Sequence, residues 1–343
     1  MLISITRDSG IPLFGLDFVG VLDRGTNLIE VRPTTLCNLR CGYCYANAGN
    51  NENEFEVEEG YLVEEFAKIV EFKNITDVEA HIDPYGEGLL YKDLPGLIHD
   101  LKSTAGVVRV SMQSNGTLLT EEKIQELQQA GLDQINITLN AMDNNMAKKL
   151  ACRDEYDLDH LLAMLDAVLE SGIDLVIAPV WFFSLNDAEI ERVIQHYVSL
   201  KARYPEETRI RLGIQNYLVY KTGRKLGGKV REREFSYFYQ RLKQLEKKYG
   251  TKLVLGPRDF GIHPAPMFRA EIPELKRADS TVPVEILAPG RQEKEFIGRL
   301  GGWAVKVLNF RAEPIDPAGS PVLRIPARNI DVKANLISAV LKK

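Results

Sequence analysis

An α/β fold, a TIM-like partial (β/α)6 barrel followed by a small β-barrel, is predicted by three features of the 343-residue chain. From residue 28, apolar runs of strand length alternate with amphipathic segments of helix length, the pattern of parallel strands joined by right-handed crossovers. Six such units without a close eight-fold repeat point to an open barrel. Past residue 256 prolines cluster, and the pattern changes to short strands separated by Pro/Gly turns, as in a small barrel.

In chain order, residues 1–27 read as a β appendix, with strands at 2–5 and 15–22 separated by Asp8-Ser9-Gly10. Residues 28–262 read as the core, with strands near 28–33, 78–82, 107–113, 134–139, 174–181 and 209–218. Between them, 61–72, 94–103, 120–130, 158–171 and 188–200 carry apolar residues at helical spacing; in 158–171, Leu161, Leu165, Val168 and Leu169 form one stripe. Thr120, and Asn186 or Asp187, read as helix caps. A long helix is expected over 234–249, where Tyr237, Phe238 and Tyr239 read as core. Residues 263–280 read as a linker, and 281–343 as the small barrel, with strands near 282–287, 295–299, 303–308, 322–324 and 336–341.

With 45% apolar residues the chain can bury a large core. No stretch approaches the roughly 18–20 apolar residues of a membrane span, and Met1 to Ser9 lack a secretory pattern, so a cytoplasmic protein with no membrane partner is expected. The net charge of −5 hides a division. Residues 1–200 carry 14 Lys and Arg against 33 Asp and Glu, whereas residues 201–343 carry 29 against 15. A basic second half is the expected footprint of a polyanionic partner, although solvated faces would account for it equally well. The basic loop from Lys221 through Arg224, Lys225, Lys229, Arg231 and Arg233 is a candidate phosphate contact.

Three of the four cysteines, Cys37, Cys41 and Cys44, lie within eight residues on a loop that leaves the first core strand. Four thiols would close a tetrahedral zinc site, and two would form a disulfide. Three suit a [4Fe-4S] cubane with one iron left for an exogenous ligand; a zinc site completed by a distant histidine is the competing reading. The five histidines, including His81, show no metal-ligand spacing and read as packing or surface.

The stretch Cys37-Asn38-Leu39-Arg40-Cys41-Gly42-Tyr43-Cys44 resembles the Cys-x3-Cys-x2-Cys signature of the radical S-adenosylmethionine (SAM) enzymes, with the aromatic Tyr43 before the last cysteine. The resemblance implies that the three thiolates ligate the cluster, that SAM chelates the open iron, and that an electron donor such as ferredoxin or flavodoxin drives SAM cleavage to a 5′-deoxyadenosyl radical. Asp83-Pro84-Tyr85-Gly86-Glu87-Gly88 is similar to the family's Gly-Gly-Glu-Pro element. Tyr85 and Gly88 depart from that element, so only Gly86 and Glu87 are carried over as contacts to the SAM amino group.

Ser114 and Asn115 stand where the family has its strand-end Thr-Asn-Gly-Thr, implying contacts to the nucleoside, and Thr138 and Asn140 would face the SAM carboxylate or ribose. Val180 falls in the segment whose backbone flanks adenine, and Gln215 is placed to close the pocket. Cys152 is a candidate catalytic thiol, an extra hydrogen-atom donor or methyl carrier, against the ordinary alternative of a buried thiol.

The tail resembles a TRAM domain, an OB-like RNA-binding barrel, through Val282-Pro283-Val284-Glu285-Ile286-Leu287-Ala288-Pro289-Gly290, Pro317-Ala318-Gly319 and residues 325–328. With the basic second half it implies an RNA substrate, tRNA foremost. A small-molecule biosynthetic enzyme with the barrel as a lid, and a peptide or protein maturase, are the rival expectations.

Overall fold

The computed structural model describes residues 1–205, 209–228, 230–276, 280–309, 322–333 and 335–341. The chain opens with β1 (Leu2–Ile5), β2 (Gly20–Asp23) and β3 (Leu28–Arg32), and β4 (Glu54–Val57) follows the cysteine-bearing loop. Then come α1 (Glu59–Lys73), β5 (Val78–Ile82), α2 (Leu94–Ser103), β6 (Val107–Ser114), α3 (Glu121–Ala130) and β7 (Gln134–Ile137). Two helices, α4 (Asn144–Ala151) and α5 (Leu158–Ser171), precede β8 (Asp174–Ile177) and β9 (Val180–Trp181). The core ends with α6 (Asp187–Arg203), β10 (Ile210–Leu212), β11 (Gln215–Asn216) and α7 (Phe235–Tyr249).

β3, β5, β6, β7, β8 and β10 pair in parallel in that spatial order, and β2 adds antiparallel to β3, giving a seven-stranded sheet. These six parallel strands are the six expected. The last two are shorter than expected, because Pro179 has no N–H for the ladder; β9 and β11 resume as a separate pair beyond it. Thr120 caps α3 by accepting from Lys123 N at 3.1 Å. Asn186 makes no such cap; its side chain instead holds Phe182 N at 2.7 Å and the carbonyls of Asn140 and Val180, each at 3.0 Å. α4 is an additional element, started by Asp143 accepting from Met146 N at 2.8 Å.

Residues 1–27 do not form a unit of their own. β1 pairs in parallel with β4, a strand sequence reading missed, and β2 is an edge of the main sheet. The apolar segment between β1 and β2, with Ile11, Leu13, Phe14, Leu16 and Phe18 nearly fully buried, is packed between the core and the C-terminal sheet without being a strand.

That C-terminal sheet has six strands: β12 (Thr281–Pro289), β13 (Glu295–Leu300), β14 (Trp303–Leu308), β15 (Val322–Pro326), β16 (Ile330–Lys333) and β17 (Leu336–Val340), in the order β15-β12-β13-β14-β17-β16. A bulge between Ile286 and Ala288 helps to curl it around its own apolar cluster. β16 was not expected; Pro317-Ala318-Gly319 lies outside the described residues, as does Lys229.

The expected linker is tightly held in its described part. Lys73 and Asp23 form a fully buried ion pair at 2.8 Å, and Lys73 Nζ also donates to Pro266 O at 2.6 Å, while Asp23 accepts from Phe268 N at 2.7 Å. Phe268 stacks on Trp303 with centroids 5.4 Å apart. No helix among the described residues is long and apolar enough to cross a membrane.

The N-terminal segment meets the C-terminal sheet through backbone: Ala304 N donates to Phe14 O at 2.7 Å and Ile337 N to Gly15 O at 2.8 Å. Gly15 has φ +118°, and a Cβ there would sit 1.9 Å from Ala304 O. Gly15→Ala is therefore expected to cost roughly 3 kcal/mol, from backbone strain plus the lost approach. Urea unfolding combined with limited proteolysis of residues 281–341 checks this; an unchanged midpoint would show that the two segments do not meet so closely in solution.

Candidate active site

The cysteine loop begins where β3 ends, and hydroxyls close its base. Thr34 Oγ1 donates to Phe55 O at 3.1 Å and accepts from Leu36 N at 3.1 Å, while Thr35 Oγ1 accepts from Phe55 N at 2.8 Å and donates to Glu54. Further out, Arg40 N and Gly42 N donate to the C-terminal carbonyls of α4, Ala151 O at 3.3 Å and Leu150 O at 3.0 Å. Cys44 N turns back to Cys41 O at 3.1 Å. Held this way, the half-buried thiols of Cys37, Cys41 and Cys44 all line one cavity of about 660 Å³.

Side chains from other elements tie the loop to the strand ends. Asn38 Oδ1 accepts from Asn115 Nδ2 at 2.9 Å, and Asn38 Nδ2 donates to Thr117 Oγ1 at 2.9 Å. Tyr43 packs on Phe182 with centroids 4.7 Å apart, and its hydroxyl is bonded by Asn140 Nδ2. Asn140 Oδ1 accepts from Val180 N at 2.7 Å. One amide thus links the cysteine loop, the end of β7 and the start of β9. Asn38 and its partners were missed by sequence reading because Asn38 gains its role only when a segment 77 residues away is brought beside it.

The loop after β5 presses against the cysteine loop. Glu87 N donates to Leu36 O at 2.7 Å, and a Cβ on Gly86 would lie 2.1 Å from that same oxygen, so only glycine fits there. The Glu87 carboxylate, 1% exposed, accepts from Leu89 N at 3.0 Å, Ser114 Oγ at 2.7 Å and Asn115 N at 2.7 Å. Burial raises its pKa, and those three donors oppose the shift. Its oxygens are thus already engaged within the protein, where the sequence reading expected them to meet an external amine.

Of the residues singled out from sequence, Cys37, Cys41, Cys44, Tyr43, Gly86, Glu87, Ser114, Asn115, Thr138, Asn140, Val180 and Gln215 all line the cavity. Cys152 does not. It is exposed at the end of α4, with φ +51° and its sulfur 3.6 Å from Lys149 O, behind the cysteine loop near Gly42.

The basic loop also differs from expectation at Arg224. Its Nε donates to Cys41 O at 2.7 Å, its Nη1 to Ala48 O at 2.8 Å and Asn47 Oδ1 at 3.2 Å, and its N–H to Cys44 O at 2.8 Å. It secures the cysteine loop instead of projecting to a phosphate. Of Tyr237, Phe238 and Tyr239 on α7, only Phe238 is core.

Below the thiols, the lumen of the partial barrel is polar. Glu30, His81, Ser111 and Gln134 stand in register across β3, β5, β6 and β7. His81 Nδ1 lies 2.7 Å from Ser111 Oγ, which itself donates to Glu79. Ser111 therefore accepts from Nδ1–H, and Nε2 of His81 is left for the cavity that the ring lines. His81, Gln113 and Asn136 were passed over in the sequence, His81 as packing or surface, because nothing local marks a lumen-facing position.

The donor set fits an iron-sulfur cluster. Burial pushes the thiols of Cys37 and Cys41 up to about 12, so in the absence of metal they are protonated, and binding a cationic core is what would hold them as thiolates. Among the described residues no three His, Cys, Asp or Glu side chains converge as single-ion ligands. Asn140→Ala strands the Val180 N–H and the Tyr43 hydroxyl, so a loss of about 1–3 kcal/mol is expected. Thermal unfolding of the metal-free protein measures it, and an unaltered melting temperature would contradict the bridging role.

A family model described as the radical SAM superfamily matches residues 31–197. The chain is 34% identical over 324 residues to the uncharacterized protein MJ0103 of Methanocaldococcus jannaschii, covering 88% of this chain and 73% of that one. It is 28% identical over 187 residues to the GTP 3′,8-cyclase of Clostridium botulinum, covering 54% of this chain and 56% of the relative. It thus spans about half the length of that cyclase. Among solved structures, the FeFe-hydrogenase maturase HydG from Carboxydothermus hydrogenoformans superposes with a TM-score of 0.53 at 16% identity, over 66% of this chain and 53% of that one, a likeness of fold. Cysteine loop, parallel strands and family match coincide over the same residues, and the chain belongs to the radical SAM superfamily, whose members use a [4Fe-4S] cluster and SAM.

Proposed function

We propose that Cys37, Cys41 and Cys44 ligate the cluster, and that SAM lies against Gly86, Ser114, Asn115, Thr138, Asn140, Val180 and Gln215 over a substrate held in the polar lumen. The observation that carries this is the gathering of these residues around one cavity at the carboxyl ends of the parallel strands. When bound, cluster and SAM supply one-electron cleavage of the sulfonium, yielding methionine and a 5′-deoxyadenosyl radical.

The chain's own residues orient and shield. Tyr43 and Asn140 fix the spacing between the cysteine loop and the strand ends, Glu87 locks the loop after β5 onto β6, and Phe182 and Tyr217 wall the loop on its apolar side. Exclusion of water by these walls keeps a reactive carbon radical from quenching before it meets substrate. An electron donor such as ferredoxin or flavodoxin supplies the reducing equivalent, and the reducing cytoplasm suits a thiolate site.

For the substrate, the lumen favours a small polar molecule. His81 Nε2, Gln113 and Asn136 offer hydrogen bonds within the cavity, at a depth where a small molecule fits. Relatives named GTP 3′,8-cyclases accord with a nucleotide-sized compound.

An RNA substrate, tRNA foremost, is the second reading. It is favoured by the excess of 29 Lys and Arg over 15 Asp and Glu in residues 201–343 and by the likeness of the tail to a TRAM barrel. Exposed Lys221, Lys225, Arg231 and Arg233 remain available for phosphates once Arg224 is committed inward.

Cys37→Ser, Cys41→Ser and Cys44→Ser should each abolish 5′-deoxyadenosine formation after anaerobic reconstitution and reduction, with iron content reduced, whereas Cys152→Ala should retain both. Wild-type protein without iron or acid-labile sulfide would overturn the assignment, and activity lost in Cys152→Ala would make that thiol catalytic.

Filter binding to bulk tRNA at graded salt separates the two substrates. RNA binding should fall steeply with salt and weaken in Lys225→Ala and Arg231→Ala while SAM cleavage persists. Absent or salt-insensitive binding, together with a small compound accumulating in cells lacking the protein, selects the lumen substrate.

A further inference from the structure

Two arginines from the basic half, Arg224 half-buried and Arg291 buried, lie against the cysteine loop, and neither side chain hydrogen-bonds a carboxylate. Arg224 donates to the carbonyls of Cys41 and Ala48 and to Asn47, and its Nη2 is buried with no hydrogen-bond partner. Arg291, in the turn between β12 and β13, is 6% exposed. It reaches the loop from the opposite end of the chain, donating to Ala46 O and lying 4.5 Å over the Tyr85 ring and 5.6 Å over Phe18. Its Nε is likewise buried and unpartnered. The carboxylate in its turn, Glu295, accepts from the Arg291 backbone N–H at 3.1 Å and not from the guanidinium, and burial raises the pKa of that acid. Neither guanidinium takes part in a salt bridge among the described residues. Arg32, the other buried arginine near this loop, differs in being paired with Glu30 at 2.7 Å and Asp83 at 3.0 Å.

A guanidinium N–H buried without a partner is costly, and one on each of two arginines beside the same loop calls for a negative group nearby. Carbonyl dipoles satisfy individual N–H groups but carry no net charge. A cluster held by three thiolates is net negative, and each electron it accepts makes it more so. Fixed positive charge beside it favours the reduced form, because cluster potentials follow net charge, hydrogen bonding and burial.

We propose that Arg224 and Arg291 are the counter-charges of the cluster and set its reduction potential. The C-terminal half is then an electrostatic part of the redox centre. This rests on ligation by Cys37, Cys41 and Cys44. A purely mechanical tie would affect cluster loading; a counter-charge also moves the potential, and does so according to charge.

The test is potentiometric titration, followed by electron paramagnetic resonance, of the full-length reconstituted protein and of Arg224→Gln, Arg224→Lys, Arg291→Gln and Arg291→Lys. Iron and sulfide content is measured first, so that failure of the thiol assignment shows as an unloaded wild type before any potential is read. Both Gln variants should titrate at more negative potential, with at least a tenfold change in the reduced-to-oxidised ratio, about 59 mV for one electron. Both Lys variants should stay near the wild type. A loaded Gln variant that titrates with the wild type, or a Lys variant displaced as far as its Gln counterpart, overturns the proposal.

Where a Gln variant does not load, the Lys variant at the same position decides: a wild-type potential supports the proposal and a displaced one overturns it. Where both variants at one position fail to load, the other arginine decides. Loss of loading in all four variants overturns the electrostatic role in favour of a mechanical one.

Discussion

A loop that turns three thiols toward one cavity must turn many of its carbonyls away from it, and in a dry environment each of those needs a donor. The residues around Cys37 to Ala48 solve this with partners from the rest of the chain. Thr34 and Thr35 close the base, α4 receives the N–H groups of Arg40 and Gly42, and Arg224 and Arg291 donate to Cys41, Ala46 and Ala48. Most of the architecture can be read as the means of bringing these donors together. The N-terminal segment is clamped between core and C-terminal sheet, and that clamp seats the turn carrying Arg291.

The lumen departs from the usual interior of a parallel barrel, where branched apolar side chains fill the space. Here Glu30, Arg32, Glu79, His81, Asp83, Ser111, Gln113 and Asn136 line or underlie it, joined by chains such as Arg32 to Asp83 and His81 to Ser111 to Glu79. Such a set costs stability unless satisfied, and not all of its hydrogen-bonding capacity is used within the protein. A barrel that stops at six strands leaves the lumen open to a ligand able to use what remains.

The charge division of the sequence takes on a different meaning once the chain is folded. Part of the positive excess after residue 200 is tied up within the protein: Lys306 pairs with Asp17 at 2.7 Å, Arg299 with Glu285 at 2.6 Å, and Arg224 and Arg291 bond to carbonyls of the cysteine loop. A net charge summed along a segment cannot distinguish a docking face from a set of internal ties, because both have the same composition.

Composition, period and spacing alone determined the six parallel strands, the helices between them and the three-thiol loop. Each is encoded by residues near one another: alternating or helical apolar spacing, a cap such as Thr120, three cysteines within eight residues. Contacts between segments far apart were decided only by tertiary structure. These include β1 joining β4, Asn38 meeting Asn115, Arg291 reaching Ala46 from 245 residues away, and the exclusion of Cys152 from the cavity. The physical reason is that a short polar or charged residue carries no periodic signature. Its role is set by which donor or acceptor the packed elements leave beside it.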